Sequence, residues 1–227
     1  MEMDFENGAI LLLDKPLRWT SFDVVRKVRN ILKIKKIGHA GTLDPLATGL
    51  LILCTGKFTK RIEEIQAQEK EYTGTFTIGQ TTPSYDLETD IDQTCDYTHL
   101  RPEDLQAAIL PFLGKIEQVP PLYSAVKIDG ERAYKLARRG EEAEIKAKTV
   151  EIKTFELTAI DGPVVSFRVV CSKGTYIRSL ARDFGQALGC GAHLSSLRRT
   201  RIGEYNVSDA FTIEDIMEIR KRQTDQA

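Results

Sequence analysis

The sequence lacks several features by which common protein classes are recognised. Its four cysteines stand alone, without a C-x-x-C pair, which disfavours structural zinc and a disulfide framework. Its three histidines, His39, His99 and His193, are too scattered to indicate a metal site. No apolar run approaches the roughly 18 residues of a membrane span, and the first residues are acidic without a basic n-region. We therefore expect a cytoplasmic protein with no metal and no membrane association.

Nucleotide and cofactor signatures are also missing. The segment from Gly49 to Lys57 resembles a phosphate-binding loop, but its two glycines are too far apart and Phe58 replaces the Ser or Thr that would hold magnesium. No dinucleotide fingerprint, H-E-x-x-H or G-x-S-x-G motif occurs. We therefore expect no nucleotide or dinucleotide cofactor.

A large surplus of either charge is absent, since the net charge is -1. The charges are nevertheless unevenly distributed. Residues 171–203 contain six basic side chains against the single Asp183, which predicts a surface for phosphates. Residues 84–104 are strongly acidic, which is typical of a solvated loop running into a helix.

The hydrophobic pattern mixes strands and helices. A buried strand is predicted near Gly8–Leu13, and Thr20 or Ser21 can cap a helix with Asp23 in its first turn. Alternation from Glu71 to Ile78 predicts a strand with one buried face. Further helices are predicted at 100–113, 131–139 and 176–188, and strands at 149–160 and 164–170. Because strands and helices do not alternate strictly, the pattern favours an α+β fold with a mixed sheet.

The densest signal is the string GHAGTLDPLATG from Gly38 to Gly49. One interpretation is structural, because Asp44 before Pro45 is a good start for a helical turn. The other is functional, because glycines allow close backbone approach to a ligand while Asp44 presents a carboxylate at a fixed position. Composition alone leaves the structural interpretation ahead.

The same string resembles the active-site motif of the TruB family of tRNA pseudouridine synthases. Other family-like segments follow in the right order: LLLDKP with WTS (Leu11 to Ser21), KEYTG (Lys70 to Gly74), PPLYSAVKIDGERAYKLAR (Pro120 to Arg138), CSKGTYIRSLARDFG (Cys171 to Gly185) and GCGAHLSSLRR (Gly189 to Arg199). The resemblance implies the pseudouridine synthase fold, with a mixed, largely antiparallel sheet flanked by helices and a catalytic cleft across the sheet. It also implies isomerisation of the T-loop uridine at tRNA position 55.

The resemblance further implies roles for individual residues. Asp44 would be the catalytic aspartate, Arg178 would pair with it, and Tyr72 would stack on the base and help to move its C5 proton. The side chains implied to line the uridine pocket are His39, Tyr72, Tyr176 and Leu197. One carboxylate suffices for this chemistry, as a nucleophile or as a base at the sugar, and a neighbouring arginine favours its ionised form.

The implied partner is the T stem-loop of tRNA, whose target nucleotide must be flipped out of its stack to be reached. We expect a monomer with a single catalytic domain over residues 1–227 and RNA-gripping insertions within about 80–147. About 25 residues follow Ile202, too few for a C-terminal PUA domain. One position departs from the family pattern, because Arg18 stands where a glycine is common.

Two other functions compete with this interpretation. The first is a non-catalytic tRNA-binding or tRNA-folding factor on the same fold, which the joint presence of Asp44, Tyr72 and Arg178 disfavours. The second is a glycosidase that pairs Asp44 with a carboxylate from Asp86 to Asp96. Formation of pseudouridine separates an enzyme from the first alternative, and release of free uracil would support the second.

Overall fold

The structure is a computed structural model that describes residues 5–124, 126–128, 130–133, 136, 139 and 145–225. It divides into two compact units. The first takes its described residues from Met1–Tyr72 and Leu197–Ala227, and the second is Thr73–Ser196. None of the helices in this described part of the chain has the length and apolar character needed to cross a membrane.

The secondary structure follows the chain in an irregular mixture. The strands are β1 Ile10–Lys15, β2 Ile37–His39, β3 Ala47–Thr55, β4 Lys70–Ile78, β5 Gln80–Thr81, β6 Gln93–Thr94, β7 Gly114–Gln118, β8 Lys127–Ile128, β9 Glu131–Arg132, β10 Lys148–Asp161, β11 Val164–Cys171, β12 Ala192–Ile202 and β13 Tyr205–Asn206. The helices are α1 Ser21–Leu32, α2 Ile62–Ala67, α3 Pro102–Ile109, α4 Ile177–Ala187 and α5 Ile213–Asp225.

The first unit is organised around β3, whose residues are almost all buried. β1 and β2 pair with it antiparallel, and β12 pairs with it parallel, with Leu197 opposite Ala47. α1 begins where the sequence predicts, because the Thr20 hydroxyl accepts from the Asp23 amide while the Asp23 carboxylate accepts from the Thr20 amide. Its apolar face packs into a core that includes Val24, Val28, Leu11, Leu13, Leu51 and Leu53.

The second unit contains the strand order β12-β4-β11-β10-β7. β11 and β7 both pair antiparallel with the long strand β10. Aromatic rings form its core, in which Phe76 of β4 stacks on Phe167 of β11 at 4.2 Å and Phe184 of α4 packs nearby at 5.6 Å. α4, which carries the predicted Arg178, is thereby anchored against β4.

These observations confirm the predicted α+β class with a mixed, mostly antiparallel sheet. The strand predicted at 71–78 and the helices predicted at 100–113 and 176–188 are present with shifted ends. The helix predicted from Glu131 is wrong at its start, because Glu131 and Arg132 form β9 opposite Lys127 and Ile128. Residues 134, 135, 137 and 138 of that prediction lie outside the described residues.

Candidate active site

Asp44 lies in the first unit, on the segment that joins β2 to β3. Its carbonyl accepts a hydrogen bond from the Ala47 amide at 3.0 Å, which closes a turn over Pro45 and leads directly into β3. A hydrogen-bonded turn thus begins at Asp44, as the structural interpretation expects, and it continues into β3 instead of a helix. The half-buried carboxylate therefore sits on a short turn that other residues must hold in place.

Ser21, the first residue of α1, fixes the backbone immediately before Asp44. Its buried hydroxyl accepts from the Leu43 amide at 2.9 Å and donates to the Leu43 carbonyl at 3.2 Å. Since both backbone groups of Leu43 are satisfied by one side chain, a shift of this segment would leave buried polar groups without partners.

Arg199 of β12 binds backbone carbonyls on both sides of the Asp44 turn. Its side chain is almost fully buried, and it donates to the carbonyls of Leu50 at 2.8 Å, Gly41 at 3.2 Å and Thr42 at 3.3 Å. Five donors in a rigid planar group allow this simultaneous contact with three carbonyls. Gly41 has φ of 100°, a conformation that favours glycine.

Lys15 holds the residue after Asp44. Its fully buried ammonium donates to the carbonyls of Trp19, Pro16 and Pro45 at 2.5, 2.9 and 3.4 Å. The Pro45 carbonyl also accepts from the Arg18 amide at 2.8 Å. Burial lowers the pKa of Lys15 to about 8, and the negative charge of Asp44 opposes that shift.

The other predicted residues of the first unit lie on β2, β4 and β12. Leu197 is opposite Ala47, so its backbone lies beside the end of the Asp44 turn. His39 ends β2, and burial lowers the pKa of its ring below the usual value; among the described residues its buried Nδ1 has no hydrogen-bond partner. Tyr72 is buried in β4, on the same face as Phe76.

Arg178 and Tyr176 lie in the second unit, at the start of α4. The buried Arg178 guanidinium donates to the Tyr123 carbonyl at 2.9 Å and to the Ser84 carbonyl at 3.5 Å, and its Nε is 3.7 Å from the Asp86 carboxylate. The pairing of Arg178 with Asp44 joins residues of different units and stays a prediction. Within the second unit, Arg178 is a buried arginine whose contacts with Tyr123, Ser84 and Asp86 hold it in one orientation.

Sequence reasoning missed the contact of Asp86 with Arg178 and missed Gln118 altogether. Asp86 belongs to the acidic stretch predicted to be solvated, but it is only 4% exposed and pairs with Arg178, so that prediction is wrong for this residue. Gln118 ends β7 and binds both backbone groups of Tyr176, accepting from its amide at 2.8 Å and donating to its carbonyl at 3.1 Å. The one local signal was the Ser- and Thr-rich run around Asp86, whose hydroxyls on Thr82 and Ser84 bond the Asp86 carbonyl.

The basic stretch at 171–203 also differs from its prediction as a phosphate-facing surface. Arg178 and Arg199 are buried and bind carbonyls of the chain itself. The remaining arginines pair with carboxylates: Arg182 with Asp183, Arg198 with Asp14 and Arg201 with Glu69, at 2.7 to 2.8 Å. Lys173 is exposed. Most of these basic side chains therefore bind groups of the chain itself.

Comparison with known proteins gives consistent matches over the chain. The protein-family model described as "TruB family pseudouridylate synthase (N terminal domain)" matches residues 29–177. A second family model, described as "tRNA pseudouridylate synthase B C-terminal domain", matches residues 178–227. The chain is 56% identical to tRNA pseudouridine synthase B of Flavobacterium johnsoniae, covering 92% of this chain and 95% of that one. It is 54% identical to the protein of the same name from Phocaeicola vulgatus, covering 95% and 94%.

Among solved structures, a Cbf5-Nop10-Gar1 complex contains a chain with a TM-score of 0.77 and 31% identity, which covers 100% of this chain and 58% of that one. The archaeal box H/ACA sRNP Nop10-Cbf5 complex gives a TM-score of 0.73 at 27% identity, covering 98% and 57%. The chain thus spans less than two thirds of these two solved chains.

Proposed function

The chain belongs to the TruB family and is a tRNA pseudouridine synthase, and from this premise we propose that it isomerises the T-loop uridine at tRNA position 55 with Asp44 as its catalytic carboxylate. The reaction breaks the bond between C1' and N1, turns the uracil and joins C1' to C5. The proton on C5 leaves and N1 gains one, so the product is an isomer of the substrate. No electron donor or energy source enters this balance.

The observation that carries the role of Asp44 is the fixation of the backbone on both sides of it. Ser21 binds Leu43, Arg199 binds Gly41 and Thr42, and Lys15 binds Pro45. A charged group held in advance avoids the cost of reorganisation when charge develops on the sugar. Asp44 acts in this proposal either as a nucleophile at C1' or as a base at the sugar.

The remaining roles in the proposal follow the chemistry of each side chain. Arg178 pairs with Asp44. Tyr72 stacks on the uracil, with its hydroxyl near the C5 proton. His39, Tyr176 and Leu197 line the pocket. Gln118 supports Tyr176, because it holds the backbone on both sides of that residue's Cα.

We further propose that the T stem-loop binds with its uridine flipped into the pocket and that stacking on Tyr72 offsets part of the unstacking cost. Within about 80–147, the RNA-gripping insertions supply contacts to the stem. Lys173, which is exposed, is a contact for phosphate. In this proposal the enzyme works as a cytoplasmic monomer with one catalytic domain.

The test is incubation with unmodified tRNA followed by mapping of pseudouridine. We expect conversion at position 55 by the unmodified enzyme and by Asp161→Asn, a control at the exposed end of β10. Asp44→Asn should slow single-turnover conversion by about 10³-fold or more, while its Kd for tRNA stays within about threefold, because many backbone contacts carry affinity.

Each contrary outcome identifies a different error. Substantial activity in Asp44→Asn would remove this residue from catalysis. Pseudouridine at another position would change the assigned substrate site. Release of free uracil would favour a glycosidase, and tight binding without conversion would favour a tRNA-binding factor.

A further inference from the structure

Two arginines on α4 meet two consecutive residues of the loop between β5 and β6. Arg178 and Arg182 are four residues apart, so they project from the same face of the helix. Arg178 faces Asp86, with 3.7 Å between Nε and Oδ2, and Arg182 faces Tyr85, with Cζ 5.0 Å from the ring centroid. The second contact lies directly beside the first, within the same unit.

Tyr85 has an unusual backbone conformation. Its φ is 63°, in the left-handed region that bulky side chains rarely adopt. Its amide donates to the Thr82 carbonyl at 3.1 Å, and its carbonyl accepts from the Leu194 amide at 2.9 Å. A strained residue persists only where its surroundings hold it, and here the strain lies next to the aspartate that pairs with Arg178.

Arg182 is itself held in place. Its Nε lies 2.7 Å from the Asp183 carboxylate, and its Nη2 donates to the Val119 carbonyl at 3.4 Å. The Ser179 hydroxyl donates to the same carbonyl at 2.8 Å. These contacts hold the guanidinium in the orientation in which it lies over the Tyr85 ring. A cation near an aromatic face is attracted by the quadrupole of the ring.

We propose that Arg182 is a positioning residue for the isomerisation: by holding the Tyr85 ring it fixes the left-handed turn that presents Asp86 to Arg178. The inference rests on the proposed function in that Arg178 acts in the active site. It assigns Arg182 an effect on turnover and none on tRNA affinity. A solvated arginine would affect neither quantity, and an arginine that contacts phosphate would affect affinity.

The first test compares single-turnover rates at saturating tRNA. We expect Arg182→Gln to lower the rate about three- to thirtyfold while the KM stays within about twofold, because the lost contact is a partly desolvated cation–π pair. Arg182→Lys should recover part of the rate, since it keeps the cation but not the planar group. Arg168→Gln, on β11 in an exposed pair with Glu156 of β10, should behave as the unmodified enzyme.

The second test asks whether Arg182 acts through Asp86. In an Asp86→Asn background, Arg182→Gln should cause no further loss of rate, because the group that it positions has been removed. Tyr85→Leu should reproduce the loss and should not add to that of Arg182→Gln. Tyr85→Leu leaves the Arg182–Asp183 pair in place, so it carries the same prediction should Arg182→Gln fail to fold.

The outcomes that overturn the proposal are specific. An unchanged rate in Arg182→Gln or Tyr85→Leu, a raised KM with an unchanged rate, or an independent loss in the Asp86→Asn background would each refute it. An unmodified enzyme that makes no pseudouridine would instead refute the proposed function, so the two failures are distinguishable.

Discussion

One hydroxyl, that of Ser21, binds both the amide and the carbonyl of Leu43, the residue before Asp44. The helix that begins at Ser21 is thus tied to the Asp44 turn through two short contacts. The position of the backbone just before Asp44 depends on this side chain.

Ser21→Ala should remove both contacts and leave two buried backbone groups without partners. We expect the free energy of unfolding to fall by about 1–3 kcal/mol and the single-turnover rate to fall with it, because a displaced carboxylate loses its alignment. Urea unfolding and conversion of T-arm RNA measure the two effects. Ser208→Ala, at an exposed serine, is the control; equal behaviour of the two variants would contradict the role of Ser21.

Because of Lys15, the free energy of unfolding should change with pH in the alkaline range. Its pKa is about 8 in the folded protein and 10.5 ordinarily, so between these values the unfolded chain binds more protons. The free energy of unfolding should therefore rise with pH through this window, by on the order of 3 kcal/mol in total. The measurement is the difference between the unmodified protein and Lys15→Met from pH 7 to 10.5. A difference that stays constant would show that the folded-state pKa is not lowered.

Asp86→Asn should remove the negative charge that lies 3.7 Å from the buried Arg178 guanidinium. We expect a loss of about 1–3 kcal/mol in the free energy of unfolding, together with slower conversion of tRNA, because a neutral amide replaces the charged partner of a buried guanidinium. Asp90→Asn tests an exposed aspartate of the same loop and should change neither quantity. The idea fails if the two variants are equally stable and equally active.

Arg18 should be replaceable by glycine without loss of stability. Its φ of 66° costs an L residue about 1–2 kcal/mol, whereas glycine adds about 0.5–1 kcal/mol of unfolded-state entropy. Arg18→Gly should therefore equal or exceed the unmodified protein, by up to about 1 kcal/mol. Arg18→Val should be less stable, since a β-branched side chain fits this region poorly. Denaturant midpoints for the three proteins decide the matter, and a destabilised glycine variant would be the contrary result.

Features with local causes were predictable from the sequence. The start of α1 follows from Thr20 and Asp23, which are three residues apart, and β4 follows from strict alternation. β12 was not predicted as a strand, because its arginines resemble a solvated basic surface. The carbonyls that accept hydrogen bonds from the buried Arg199 belong to residues about 150 positions earlier. No local sequence pattern predicts these contacts.

The same limit applies to the candidate site. The string around Asp44 drew attention to the residue, but its structural supports come from elsewhere in the chain, namely Lys15 of β1, Ser21 of α1 and Arg199 of β12. Asp86 belongs to an acidic stretch whose other members are mostly exposed, so the sequence did not indicate its burial. Its burial depends on Arg178, which lies on a distant helix.

The contact between Arg199 and Gly41 spans 158 residues of chain. During synthesis, the Asp44 turn is made early, but the side chain that holds its Gly41 and Thr42 carbonyls emerges from the ribosome only near the end. The strand pairing of Leu197 with Ala47 is delayed in the same way. A nascent chain therefore carries Asp44 on a turn that still lacks its Arg199 contacts, and the turn acquires its complete support only after translation has passed β12.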